Sequence, residues 1–183
     1  MLMPKCPSRL LLFYLITAFL FSFLIPGFCA QDELNGVQIQ ARIYRDQGWQ
    51  AQKEGNIDAA LACYQKAIAL DPRYVVAYND IGIILEAMGE AEQAKQTYLK
   101  AIKIDPNYPN SYSNLALFYE SKGDYANAIV YWTKRATLGS SGDPWAEVAR
   151  RRLEDIARAS PEIYSKIGNQ YKEKSQADLK TGQ

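Results

Sequence analysis

The chain has 183 residues, of which 48% are hydrophobic and 22% are charged, and this composition is typical of one modest globular or repeat domain. Its 21 Lys and Arg side chains are balanced by 20 Asp and Glu side chains, so it lacks the positive field with which proteins bind nucleic acids. Because the sequence contains no histidine, it excludes Ser-His and Cys-His catalytic pairs and histidine-assisted metal sites, and we predict no cofactor and no metal.

Residues 1–30 have the order of a secretory signal. Lys5 and Arg9 come before an uncharged apolar run over 10–25, and a Pro-Gly pair follows that run. A helix of about 16 residues is about 24 Å long, which is short for a hydrocarbon core about 30 Å thick. We therefore predict a cleaved signal peptide, with an uncleaved membrane anchor as the alternative.

The end of this segment leaves the cleavage position open. A cut after Ala30 puts bulky Phe28 where signal cleavage favours a small residue, whereas a cut after Cys29 puts Gly27 there. Lipid attachment to Cys29 is a further alternative, although Phe28 stands where lipoproteins carry a small residue. In each case we predict that the protein is exported, periplasmic or otherwise extracytoplasmic, or anchored in a membrane through this segment alone.

A period of 34 residues runs through 41–142. Each copy has an aromatic residue, a glycine, an alanine and a second aromatic residue in the same order. The recurring positions are Tyr44, Tyr78 and Tyr112; Gly55, Gly89 and Gly123; Ala60, Ala94 and Ala128; and Tyr64, Tyr98 and Trp132. This spacing predicts a unit of one helix, a tight turn and a second helix.

The residues around these positions predict where the helices begin and end. The glycines suit the left-handed backbone that ends a helix, and Asn56 and Asp124 can cap the helix that follows. Pro72 and Pro106 break the chain between units because proline cannot extend a helix. The predicted helices are 41–54, 57–70, 75–88, 91–104, 109–122 and 125–138, with 31–40 as a helical extension or a linker.

Two further helices are predicted after the third unit. Asp143 and Pro144 form a start signal for a helix over 144–158. Its apolar stripe consists of Trp145, Val148, Ala149, Leu153 and Ile156. A last helix begins near Ser160 and is predicted to dock through Ile163, Ile167 and Tyr171. We expect residues 175–183 to form a flexible tail because they lack apolar anchors.

The 34-residue unit resembles the tetratricopeptide repeat (TPR). The first two copies match that family at Tyr44, Gly48, Ala60, Tyr64, Ala67 and Pro72, and at Tyr78, Ile81, Gly82, Leu85, Ala94, Tyr98, Ala101 and Pro106. The third copy keeps most of the pattern but departs from it at Ala116, Arg135 and Ser140, where the array ends. The resemblance implies an all-α fold, a short right-handed superhelix of antiparallel helix pairs. Its repeats are 41–74, 75–108 and 109–142, and its capping helices lie within 143–174.

Such superhelices bind partners on the concave face, which is formed by the first helix of each pair. Helical spacing assigns twelve residues to this face: Arg42, Arg45, Trp49, Gln52, Val76, Asn79, Ile83, Glu86, Asn110, Ser113, Leu117 and Glu120. Within this set, Trp49, Ile83 and Leu117 are 34 residues apart and form one apolar row. The alternative is that a terminal helix of the chain covers the row.

Chaperone adaptors of the TPR family hold a chain-end carboxylate with lysine, arginine and asparagine side chains at fixed positions. Arg45 can replace the first lysine, but Trp49 and Asp80 stand where the family has asparagines. Asn110 and Asn114 stand where it has two cations. We therefore predict that an apolar or amphipathic segment, rather than a chain-end carboxylate, binds in the groove.

The sequence carries no carboxylate pair, phosphate-binding loop or Cys-x-x-Cys motif that would indicate catalysis. We predict a non-enzymatic module that binds a protein or peptide partner outside the cytoplasm, as a monomer. The alternative is a structural component of the cell envelope that assembles with copies of itself.

Overall fold

The computed structural model describes residues 35–170, and these form eight α-helices with no strand. The first helix, α1, covers 35–53 of the described chain, and the last, α8, covers 161–170. Between them lie α2 (Ile57–Leu70), α3 (Val75–Ala87), α4 (Ala91–Ile104), α5 (Pro109–Ser121), α6 (Tyr125–Leu138) and α7 (Pro144–Ala159). The all-α prediction is confirmed, and the predicted ends of α2 to α7 lie within one residue of those observed.

From α2 to α7, each helix packs mainly against its neighbours in sequence, and α3 also contacts α5. The core follows the 34-residue period, because the alanines and the second aromatic residues that recur with it are buried. Ala60, Ala94 and Ala128 are 0% exposed, as are the second aromatic residues Tyr64, Tyr98 and Trp132. In the second helix of every pair, a small buried side chain therefore lies one turn before a large one, as close packing requires.

The turns inside the helix pairs are left-handed at glycine. Gly55, Gly89 and Gly123 have φ values of 80°, 81° and 69°, which residues with a Cβ rarely adopt. Asn56 and Asp124 then cap the next helix, since their side-chain oxygens accept hydrogen bonds from the backbone N–H groups of Ala59 and Asn127. The predicted stop and start signals are thus confirmed.

The third pair is joined to α7 by a buried arginine. Arg135 occupies the register of Ala67 and Ala101 and is 2% exposed. Its guanidinium donates to the Ser113 hydroxyl of α5 at 3.1 Å and to the Asp143 carboxylate at 2.7 Å. Asp143 in turn caps α7, so this departure from the repeat pattern fixes where α7 begins.

One prediction about the ends needs correction, and one alternative is decided. Residues 35–40 continue the backbone of the first helix without a break, as the helical-extension alternative predicted. Trp145 does not lie in the buried stripe of α7, since it is 50% exposed, and Ala146 is 0% exposed in its place. Position 146 can hold only a small residue, because Gly139 lies close to it. A Cβ on Gly139 would lie 2.2 Å from the Ala146 Cβ.

The predicted signal or anchor (1–30), Tyr171 and the tail (175–183) lie outside the described residues. Within 35–170, no helix is both long enough and apolar enough to cross a membrane.

Candidate functional site

The predicted apolar row is only partly accessible. Trp49 is 48% exposed and Leu117 is 37% exposed, whereas Ile83 is half-buried and packs against the core of the first two repeats. The Lys53 ammonium lies 4.4 Å from the centre of the Trp49 ring and covers part of it. Within residues 35–170, then, no helix covers Trp49 or Leu117.

Three of the twelve predicted residues accept a hydrogen bond from the second helix of their own repeat. The Gln52 amide oxygen accepts a hydrogen bond from the Tyr64 hydroxyl at 2.7 Å, and the Glu86 carboxylate accepts one from Tyr98 at 2.8 Å. Glu120 accepts one from the Trp132 indole at 2.5 Å. These bonds recur with the repeat period and tie the two helices of each pair together, so their acceptors have a structural role.

Burial of the tyrosine hydroxyls in these bonds makes them harder to ionise. It raises the pKa of Tyr64 to about 12 and the pKa of Tyr98 still further, where the neighbouring Glu86 carboxylate adds to the effect. Both hydroxyls therefore remain hydrogen-bond donors throughout the physiological pH range, and we assign them no chemistry.

The first two repeats are joined across the concave face by an ion pair. The Arg45 Nε donates to Asp80 Oδ2 at 2.7 Å, and the Asp80 side chain is only 11% exposed. Burial raises the pKa of Asp80, and the Arg45 guanidinium offsets this only in part. Because Arg45 is already paired, it is not free to receive a ligand carboxylate.

A cavity of about 200 Å³ opens between α3, α5 and the start of α7. We call it the slot, and its lining consists of Asn79, Ile83, Asn110, Ser113, Asn114 and Trp145. No charged residue lines it. The slot therefore offers amide and hydroxyl groups beside an aliphatic and an aromatic surface.

Asn79 is fixed at the base of the slot. It is 4% exposed, and its Oδ1 accepts hydrogen bonds from Asn114 Nδ2 at 2.9 Å and from Ser111 Oγ at 3.3 Å. These bonds identify Asn79 Nδ2 as a donor and Asn114 Oδ1 as an acceptor, neither of which has a partner among residues 35–170. A donor and an acceptor side by side match the C=O and N–H groups of a peptide backbone.

The remaining predicted residues differ in position and exposure. Arg42 and Asn110 are exposed and Val76 is half-buried, whereas Asn79 and Ser113 are buried rather than open. Four of the twelve residues, Asn79, Ile83, Asn110 and Ser113, come together in the slot. The assignment of the whole set to partner binding stays a prediction.

Asn114 and Trp145 were not among the twelve residues that helical spacing assigned to the concave face. Asn114 lies one helical turn after Asn110 on the same helix, and this spacing was the available signal. No sequence signal pointed to Trp145, because a buried tryptophan fits the apolar stripe of α7 equally well. Its position follows from Asp143, whose carboxylate accepts the backbone N–H of Trp145 at 2.9 Å and so sets the rotation of α7.

Comparison with known proteins agrees with the observed fold. Residues 53–89 and 84–123 match the TPR repeat family. The fold is similar to that of the Arabidopsis OM64 TPR domain, with a TM-score of 0.57 and 23% identity over 65% of this chain and 98% of that domain. A comparison with curated protein sequences gives no match.

Two further solved structures with this fold contain bound partners. One is the first TPR of Spaghetti (RPAP3) bound to the HSP90 peptide SRMEEVD, with a TM-score of 0.58, 19% identity, and coverage of 67% of this chain and 94% of that one. The other is PcrH in complex with the chaperone binding region of PopD, with a TM-score of 0.59, 21% identity, and coverage of 64% and 91%. These similarities identify the fold as a short TPR superhelix.

Proposed function

We propose that this protein is a non-enzymatic adaptor that binds a segment of a partner protein in the groove of its concave face. The observation that carries the proposal is the slot, where an unpaired amide donor and acceptor stand beside Ile83 and Trp145. Exposed Trp49 and Leu117 extend an apolar surface to either side of Ile83. Solved proteins of the same fold, at 19% and 21% identity, hold a peptide or a partner segment, which supports the same use here.

Nothing in the described chain supports catalysis. Among residues 35–170, no three His, Cys, Asp or Glu side chains come together as a metal site, and the buried side chains of Asp80, Tyr64 and Tyr98 are engaged in the bonds described above. The conclusion of a binding module rests on the groove itself rather than on this absence.

We also propose that the adaptor works outside the cytoplasm. The support is the basic start and the uncharged apolar run of residues 1–30. A partner would then be a protein of the cell envelope or of the exported fraction.

The test is capture of a partner by the full chain, using crosslinking in the membrane and exported fractions and then titration with the partner that this finds. Ile83→Asp should lower the affinity at least about tenfold, because it removes apolar contact and leaves an unpaired carboxylate in the interface. Trp49→Ala should act in the same direction. Circular dichroism should show nearly wild-type helix content for both variants.

Ile39→Asp is the matched control. Ile39 is 57% exposed on α1 but is not part of the concave face, so its replacement should leave binding unchanged. Full affinity in Ile83→Asp would rule out the groove as the binding site. Unfolding of that variant would show that Ile83 acts mainly in the core, and Trp49→Ala would then decide between the two.

A second candidate function is end-to-end assembly with copies of the same chain. Ile43 is 43% exposed on α1, whereas the residues 34 and 68 positions later, Ala77 and Ser111, are 0% exposed because a preceding repeat covers them. At the other end, Ile163 and Tyr164 of α8 are 37% and 38% exposed. Light scattering at rising concentration separates the candidates: a constant mass supports the adaptor, and growing oligomers that Ile43→Asp abolishes support assembly.

A further inference from the structure

The repeat pattern does not require an arginine at position 135. The first two repeats have alanine in the same register, and both alanines are 0% exposed. Arg135 is buried as deeply, and its Nη1 has no hydrogen-bond partner within the described part of the chain. A buried guanidinium with an unpaired nitrogen destabilises a fold, so a gain elsewhere is expected to explain its presence.

The contacts of Arg135 form a closed path that begins and ends in the slot. Its Nε donates to Ser113 Oγ at 3.1 Å, and Ser113 lines the slot. Its Nη2 donates to both oxygens of Asp143, at 2.9 and 2.7 Å. Asp143 accepts the backbone N–H of Trp145 at 2.9 Å, and Trp145 also lines the slot.

We infer that Trp145 is the specificity-determining residue of the groove, and that the Arg135–Asp143 ion pair is the positioning device that holds Trp145 over the slot. The inference rests on the proposed function and names its ligand class: an uncharged, extended peptide segment. Its backbone C=O and N–H groups pair with Asn79 Nδ2 and Asn114 Oδ1, and one apolar side chain enters between Ile83 and Trp145.

Charge complementarity decides this ligand class. No charged residue lines the slot, and Arg45 of the concave face is already paired with Asp80 at 2.7 Å. A charged ligand side chain would lose its water without gaining a partner, whereas a peptide group would satisfy both free amide atoms. The 50% exposure of Trp145 leaves its ring surface open to the ligand.

The experiment measures binding of the full chain to a set of short peptides, acetylated and amidated, each with one apolar side chain flanked by glycine and serine. Fluorescence anisotropy of the labelled peptide gives the affinity. Trp145→Ala should lower it about tenfold, as loss of a central aromatic anchor does in other interfaces. Asp143→Asn should lower it several-fold, because asparagine still caps α7 but no longer holds Arg135 as a charged partner.

A double-mutant cycle separates positioning from general stability. If Asp143 acts through Trp145, the double variant should bind no more weakly than Trp145→Ala alone. Two losses that simply add would overturn the positioning role. Arg150→Ala is the matched control, since the Arg150–Glu147 pair lies on the exposed side of the same helix at 2.8 Å and should not affect binding.

The remaining outcomes distinguish this inference from the proposed function. If Trp145→Ala binds as the wild type does while Ile83→Asp does not, the groove stands and the inference falls. If the wild type binds none of the capped peptides, the ligand class is wrong, whatever the crosslinked partner shows. Because Trp145 is half-exposed, its replacement leaves the core intact, so this variant decides the inference even if Asp143→Asn unfolds.

Discussion

In the first two repeats, the helices of a pair approach each other at a glycine that faces a tyrosine ring. A Cβ on Gly48 would lie 2.6 Å from Tyr64 Cε1, and a Cβ on Gly82 would lie 2.3 Å from Tyr98 Cε1. Both tyrosines are 0% exposed and are held by hydrogen bonds from their hydroxyls, so neither ring can move aside. Because glycine has no side chain at these positions, the two helices can approach each other this closely.

We expect Gly82→Leu to lower the free energy of unfolding by about 1–3 kcal/mol or more, because a side chain at this position overpacks a closed core. Thermal unfolding followed by circular dichroism measures the change. Gly36→Leu is the matched control, because a Cβ on Gly36 meets nothing within 4 Å, and its melting temperature should not fall. Equal melting temperatures for wild type and Gly82→Leu would contradict the packing.

Two of the ion pairs between different elements are formed by the partly buried aspartates Asp80 and Asp143. Arg45 of α1 bonds to Asp80 of α3, and Arg135 of α6 bonds to Asp143 at the start of α7. The pKa values of the two aspartates are shifted in opposite directions. Burial raises the pKa of Asp80, whereas the hydrogen bonds from Arg135 hold the pKa of Asp143 below its ordinary value.

For Asp143, the native pKa lies below the unfolded one, so its ionised form contributes stability at any pH above the unfolded value of about 3.9. That contribution is lost as the pH falls through the native pKa. We therefore expect the melting temperature of the wild type to exceed that of Asp143→Asn at neutral pH, and the difference to shrink below about pH 4. Thermal unfolding of both proteins between neutral and acidic pH gives the result.

Asp80→Asn should show the opposite trend. Because the native pKa of Asp80 is raised, the folded state takes up a proton more readily than the unfolded state. As the pH falls from above the native pKa towards about 3.9, the wild type should gain stability relative to Asp80→Asn. If the stability difference from the wild type changed with pH in the same direction for both variants, the two ion pairs would not set the pKa values of these aspartates.

At the level of the whole molecule, the TPR superhelix lacks the clamp for a chain-end carboxylate. Arg45 is paired, Asp80 adds a negative charge beside it, and Asn110 and Asn114 are neutral. We expect no saturable binding of the labelled peptide SRMEEVD by fluorescence anisotropy, because its terminal carboxylate would meet one occupied cation and a repelling acid. Saturable binding that is lost in Arg45→Ala would contradict this.

Transport of the full chain tests whether the N-terminal segment is an export signal. Replacement of Leu15 and Ile16 by arginine should retain the protein inside the cell, because each charge in the apolar run costs about 2.5–3.5 kcal/mol on insertion scales. Fractionation of cells expressing each form, followed by immunoblotting, measures the result. The same pair of replacements at Gln47 and Gln50, which are exposed on α1, should leave transport unchanged.

The sequence by itself determined the helices, their turns and the repeat. Gly55 and Gly89 predicted left-handed turns, Asn56 and Asp124 predicted caps, and the alanine and aromatic positions predicted the core. These features are local or periodic, so a helix pair that repeats three times shows its packing rules in the order of its residues.

Only the tertiary structure decided what the side chains on the concave face do. Gln52, Glu86 and Glu120 have the spacing of groove residues, but each one bonds to an aromatic side chain 12 positions later. Trp145 looked like a core residue and lies in the slot instead. The direction of the Trp145 side chain depends on the ion pair between Arg135 and Asp143. A periodic pattern carries no information about this contact, because it occurs once and its two residues meet only in the folded chain.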